Sequence, residues 1–435
     1  MLRLMEASEE FCGKKLEILQ QSMKEQCSLY FAQYHASRLD ELCIFLEHDG
    51  WELCPVKSTF TATQLQEFKS LESVLNDSEL LGSTNTTNAK FDNTKDEDIL
   101  ATIGEKTVDY ISEDSEDEIN HDSILNYAFQ RLYTKKKIKT RLAVPMVTNT
   151  TLNVLRVCGR YLQMSKLLTS IAVTVIQSMI QFFELYLYCI NLFFTSDFNI
   201  TSKSVYTSKL RSTLTRIEKN LIRDGTINMD DETLKVRRLN LSPVVDLHSD
   251  DNFFGLAERV VGVESLIFLG QQYDNLQSYL RRLISENSEK GFLDQFYTET
   301  VRSAVDLRKP VYMAVVSKYF KDTNIITLMN KVNWEIKDVM SQHSSYIDVL
   351  HHEIEAFARS LNNLTRIIPI TTDVKFALWD NVAHLITNTT SETLLWQAVL
   401  LFNTSSIYSK LEIHYVENHN SNNYYYVHRF VAERN

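Results

Sequence analysis

The chain has 435 residues, enough for two or three domains with real cores, and its 10 Gly and 5 Pro are too few for a turn-rich all-β protein. The formal charge of −11 is concentrated in one place: residues 96–122 hold eleven acids against one lysine, so the remainder is close to neutral and carries no nucleic-acid footprint. Six cysteines, at 12, 27, 43, 54, 158 and 189, form no tight pair, which fits a reducing cytosolic compartment, and the start MLRLMEASEEFC reads as no signal peptide.

In chain order, residues from about 5 to 48 read as helix, with Phe11, Leu16, Leu19, Met23, Cys27, Tyr30, Phe31 and Tyr34 mostly three to five apart. Leu39, Leu42, Cys43 and Leu46 continue the stripe, and Asp49-Gly50 supplies a stop. Cys43, His48 and Cys54 invite a metal or nucleophile reading. The cysteines lack the close C-x-x-C knuckle of a zinc site, so Cys43 reads as a packing residue, and His48 lies in a last helical turn, where a cation is mildly favourable. Trp51, Leu53 and Val56 anchor the exit.

From 76 to 140 the apolar density falls, and the segment reads as an acidic disordered linker unable to offset its ordering entropy. Within it, Ser115 is followed at the third position by Glu118, the pattern that acidophilic kinases prefer. A merely solvated acidic run accounts for the same residues.

Beyond Val144-Pro145, LLTSIAVTVIQSMIQFFELYLYCINLFF (residues 167–194) is long enough to span a bilayer. Gln177, Gln181 and Glu184 recur on one face of it, and an ionised group at that depth is costly. A helix buried within a bundle is the expectation; an integral membrane protein using 167–194 as its span is the alternative. Leu210, Leu214, Ile217 and Leu221 mark a further amphipathic helix, and FGLAERVVGVESLIFLGQQYDNLQSYLRRL a long one. Ile336, Met340, His343, Ile347, Leu350, Ile354, Phe357, Leu361 and Leu364 alternate four and three, a heptad seam with His343 as a core residue.

Catalytic motifs are wanting. His351-His352-Glu353 lacks the second histidine of H-E-x-x-H, and no phosphate-binding glycine loop, dinucleotide fingerprint or G-x-S-x-G elbow occurs. The fold class expected is all-α, a helical-bundle rod interrupted by the acidic linker. No enzyme activity, cofactor, metal or small-molecule substrate is expected.

Four stretches carry a resemblance: EEFCGKKLEILQQSMKEQCSLYFAQYHASRLDELCIFLEHDGWELCPVKSTF, VTNTTLNVLRVCGRY, AERVVGVESLIFLGQQYDNLQ and VNWEIKDVMSQHSSYIDVLHHEIE. They resemble the syndetin family, with WELCPVKS-F and TNTTLNV-R the most specific segments, over residues 5–75 and 140–390. The resemblance implies a non-enzymatic, coiled-coil and helical-bundle subunit of the endosome-associated recycling protein (EARP) complex. That complex tethers endosome-derived vesicles and promotes SNARE-dependent endocytic recycling of cargo to the plasma membrane. Implied partners are the three subunits shared with the Golgi-associated retrograde protein complex, together with endosomal SNAREs. The implied location is cytosolic, peripheral on the membrane of recycling endosomes and at the trans-Golgi network. It implies no catalytic residues.

Against the family pattern, the chain starts without the N-terminal coiled-coil region, and the match fades after Trp379-Asp380-Asn381. The expected organisation is therefore a helical segment at 1–75, the linker at 76–140, a C-terminal helical-bundle domain at 141–390 and a divergent, poorly ordered tail at 391–435.

Overall fold

A computed structural model describes residues 10, 11, 13, 17–69, 71, 144–196, 205–223, 235–284, 291–321, 325–332 and 344–404, the side chains of 392 and 394–404 excepted. The linker 76–140, Ser115 and the seam residues Ile336, Met340 and His343 lie outside them, as does the tail beyond 404. Among the described residues the secondary structure is helical, with one isolated parallel bridge between Ile222 and Val236 and no strand. The all-α expectation therefore holds.

The chain divides into two compact units, residues 1–321 with 356–382, and residues 322–355 with 383–435. In the first unit, α1 (Glu17–His48) leads through a 3-10 turn to the short α2 (Gln66–Lys69). Then come α3 (Asn149–Leu167), α4 (Ala172–Thr195), α5 (Ser208–Leu221) and α6 (Leu256–Leu283). The pair α7 (Gly291–Gln295) and α8 (Arg302–Asp306) is joined by a π-helical turn at Phe296–Val301, and α9 (Arg308–Tyr319) follows. Beyond it, α10 is Ile325–Asn330, α11 is Ser345–Ile367 and α12 is Thr372–Thr404. The tail expected from 391 thus begins within α12.

The centre of the first unit is α4, which packs against α1, α3, α5, α6 and α9. It is the apolar run that raised the membrane alternative. In its most apolar window 78% of the residues are buried by neighbouring helices, so a span is not favoured. The polar face has internal partners too. Gln181 Oε1 lies 2.6 Å from His35 Nε2 on α1, and Glu184 accepts from Arg216 Nη1 on α5 at 2.8 Å. The other guanidinium arm of Arg216 donates to Thr300 Oγ1 at 2.7 Å, a hydroxyl carried by the π-helical turn. A helix polar on one stripe is thereby buried nearly all round without leaving those groups unpaired.

The amphipathic stripes sort as their spacing predicts where neighbours exist. Leu39, Leu42, Cys43 and Leu46 on α1 are buried, and so are Leu210, Leu214, Ile217 and Leu221 on α5. On the N-terminal half of α1, Ile18, Leu19, Leu29 and Tyr30 are exposed. The heptad seam is real over its second half: Phe357, Leu361 and Leu364 are buried on α11, whereas Ile347 is exposed. Phe357 sits among Phe253, Tyr319, Phe320 and Trp379, with ring centroids 5.2–5.7 Å apart.

One boundary departs from expectation. The long helix expected from Phe254 starts at Leu256, because Phe253, Phe254 and Gly255 all adopt left-handed φ values of 56°, 54° and 65°. The strain at two phenylalanines is held by hydrogen bonds. Gly255 N donates to Asn252 Oδ1 at 2.8 Å and the buried Arg259 donates through Nε to Phe254 O at 3.1 Å. Arg259 also donates through Nη1 to Phe194 O, a carbonyl of the last turn of α4, tying the start of α6 to the end of α4.

Candidate interaction site

Helices α1 and α3 run side by side and leave a cavity of about 110 Å³ open at their shared surface. Its floor is apolar, Leu42 from α1, Val154 from α3 and Phe182 from α4. Its rim is basic, with Arg38 on α1 and Arg156 and Arg160 one turn apart on α3. Arg156 and Arg160 are exposed. Glu41 takes one arm of Arg38 at 2.5 Å, yet the Arg38 Nε is buried without a hydrogen-bond partner. Glu67 stands 3.9 Å from Arg160, a loose pair, and Arg156 forms no ion pair with any described residue. The arrangement places three guanidinium groups and the Glu41 carboxylate around an apolar base.

What holds α1 and α3 in register is the joint between the two most specific sequence segments. Cys54 N of WELCPVKS donates to Val147 O of VTNTT at 2.7 Å. Asp49 Oδ1 accepts from Trp51 N at 2.8 Å, an Asx turn that supports Trp51 at φ 56°. The Trp51 ring is then set edge-on to Tyr186, Phe193 and Phe194 of α4. On the other side Thr148 caps α3, its Oγ1 accepting from Thr151 N at 3.2 Å. A hydroxyl chain follows: Ser265 donates to Gly262 O, so it accepts from Tyr186, whose oxygen lies 2.9 Å from Thr151 Oγ1. Burial raises the Asp49 carboxyl, and pushes the Tyr186 phenol up to about 12.

Beneath the groove, His35 is buried between α3 and α4. Gln181 Oε1 is an acceptor, so His35 Nε2 carries the proton and Nδ1 accepts from Tyr161 OH at 2.9 Å. Burial holds this imidazole below its usual value, opposed in part by the hydrogen bond to Gln181. Sequence reading missed His35 because nothing in its spacing separates it from its apolar neighbours on α1.

The structure does not bring Cys43, His48 and Cys54 together as ligands. Cys43 is buried and burial pushes its thiol up to about 12; Cys54 is half-buried and also raised by burial. His48 Nδ1 lies 2.9 Å from Ile44 O in the last turn of its own helix. Cys158 is likewise pushed to about 12 by burial, and Cys189 is well above the thiol range, so neither is a ready nucleophile. Among the described residues no group of three or more His, Cys, Asp and Glu could hold a metal ion. His351 lies 3.7 Å from Glu355, one turn on, at the surface.

A family model described as the C-terminal part of syndetin matches residues 253–394. Syndetin from Gallus gallus is 38% identical over 443 residues, covering 90% of this chain and 46% of the relative. The Rattus norvegicus and Mus musculus syndetins are 37% and 36% identical over 442 residues, with the same coverage. The chain thus spans about half the length of the curated relatives it matches. No solved structure matches. With residues 253–394 matching the family model and nine-tenths of its length aligned to these relatives, the chain is similar to the syndetins.

Proposed function

We propose that the chain acts as a non-enzymatic subunit of a vesicle-tethering assembly, the EARP complex. In this reading it helps hold endosome-derived vesicles for SNARE-dependent recycling of cargo to the plasma membrane. The observation that carries the reading is similarity to syndetins over 90% of the chain. Two structural features agree with it. Packed helices present long surfaces on which partner helices can lie, and the most apolar helix among the described residues is packed at the centre of a bundle, in keeping with the peripheral membrane association proposed here.

The partners proposed are the three subunits shared with the Golgi-associated retrograde protein complex, and endosomal SNAREs. The location proposed is the cytosolic face of recycling endosomes, with the trans-Golgi network as a second site. The test is an affinity pull-down of the tagged chain from cell lysate, read for those three subunits and for endosomal SNAREs. Recovery of the shared subunits supports assembly through this portion of the protein. Recovery of neither class overturns the reading for this chain.

A further inference from the structure

The groove between α1 and α3 is edged by Arg38, Arg156 and Arg160 in a chain whose net charge is negative. Nearly all of that negative charge belongs to residues 96–122, and its densest part is EDSEDE, residues 113–118, with five carboxylates in six positions. The two are close along the chain. The described residues preceding the acidic segment end at Leu71, just after α2, and α2 is fastened to α3 by the Gln163 Nε2 donation to Glu67 O at 2.6 Å. They resume at Val144, and only a few residues on, Thr148 caps the start of α3. The acidic segment is therefore anchored at both ends of the helix that carries Arg156 and Arg160.

We propose that this groove is the docking site of the chain's own acidic run, residues 113–118. Reach is ample. The shorter arm, the 26 residues from Glu118 to Val144, can span up to about 85 Å when fully extended, whereas the 19-residue α3 is about 28 Å long. A tethered ligand of this kind is presented at roughly millimolar effective concentration, so the docked state is favoured once the contact itself is worth more than about 4 kcal/mol, shared between the charge pairs and the apolar base. The exposed Arg156, without an ion pair among the described residues, supplies unused donors. The competing carboxylates of Glu41 and Glu67 already occupy part of the rim, which makes the contact reversible and strongly salt-dependent. The inference stands apart from the tethering reading, since it concerns two parts of one chain.

The experiment uses the full chain and a fluorescent peptide copied from residues 109–122. Its binding is followed by anisotropy to three proteins. These are the unaltered chain, a chain carrying Glu113→Gln, Asp114→Asn, Glu116→Gln, Asp117→Asn and Glu118→Gln, and that same chain with Arg156→Gln and Arg160→Gln added. The expected result is binding at least about tenfold tighter to the neutralised chain than to the unaltered one, because the internal competitor is gone. The tighter binding should be lost in the chain lacking both arginines and in about 0.5 M salt, roughly three times the physiological ionic strength. Equal binding to the first two proteins overturns occupancy by the chain itself. Undiminished binding to the third overturns the groove as the site. Both arginines are exposed, and an unchanged far-UV circular dichroism spectrum certifies the fold; if it changes, Arg156→Gln alone serves as the second variant. A sedimentation mass that rises with concentration and falls on neutralisation assigns the run to a second copy, which also overturns the proposal.

Discussion

Glu184 is the residue whose environment decides most about this chain, because it stands in the middle of its most apolar helix. It is nearly buried, and burial raises its carboxyl, while the Arg216 guanidinium works in the opposite direction. Removing the cation alone leaves a buried charge without a partner, whereas neutralising the acid leaves an amide that still accepts from Arg216. Arg216→Met is therefore expected to destabilise the fold by about 2 kcal/mol, less than a fully buried pair because the arginine is part-exposed. Glu184→Gln should cost about 1 kcal/mol or less. Urea midpoints of the two variants measure the difference, and equal losses would show that the ion pair adds nothing.

His35 gives a pH signature of opposite sign. Its folded value lies below the unfolded one, near 6.5, so the unfolded chain binds the extra proton first. The stability it contributes is complete above about 6.5 and is lost as pH falls toward the folded value. Glu184 and Asp49, raised by burial, do the reverse at lower pH and regain stability as it falls. A thermal midpoint that drops between about pH 7 and 5.5 in the unaltered chain should fall less steeply in His35→Gln, whatever its absolute stability. Parallel slopes would remove His35 as the cause.

At the scale of elements, α6 shows how much the sequence carried and where it stopped. Its helical character was legible from AERVVGVESLIFLGQQYDNLQ, because apolar spacing and helix-forming residues agree over most of its length. Its start was not, because the turn at Phe253–Gly255 depends on Asn252 and Arg259 making tertiary hydrogen bonds that no local pattern encodes. The core role of the helix at 167–194 was legible from Gln177, Gln181 and Glu184. The partners of the last two, His35 and Arg216, lie 146 and 32 residues away and were not. The groove was invisible for the same reason: Arg38 and Arg156 approach one another only once α1 and α3 pack.

The two glycines within α6 separate packing from propensity. A Cβ at Gly262 would stand 2.5 Å from Phe194 Cε2 and 3.2 Å from Ile190 Cδ1. The Phe194 ring is itself held by Trp51 and has the Arg259 guanidinium 5.9 Å from its centroid, so it has little room to yield. Gly262→Ala should cost about 1–3 kcal/mol through overpacking, despite alanine's better helix propensity. At Gly270 the nearest atom, Val301 Cγ1, is 3.4 Å away, and Gly270→Ala should be neutral or stabilising by up to about 1 kcal/mol. Denaturation of the pair tests close approach of α4 and α6 directly, and a Gly262→Ala protein as stable as Gly270→Ala would contradict it.

For the whole molecule, the balance of charge matters more than its total. A near-neutral set of helical units carries one segment with a surplus of ten negative charges between its two family-matching blocks. Phosphate at Ser115 would deepen that surplus by about 1.5 to 2 charges at neutral pH and add acceptor oxygens suited to guanidinium groups. If residues 113–118 dock on the rim formed by Arg38, Arg156 and Arg160, phosphorylation must strengthen the contact, because the added charge lies at the centre of the run. A peptide of residues 109–122 bearing phosphate at Ser115 should bind the neutralised chain about fivefold tighter than its unmodified counterpart, on the order of 1 kcal/mol. The gain should vanish when Arg156 and Arg160 are both replaced by glutamine. Equal affinities for the two peptides would leave Ser115 a solvated serine in an acidic stretch, and would count against close contact between that stretch and the groove.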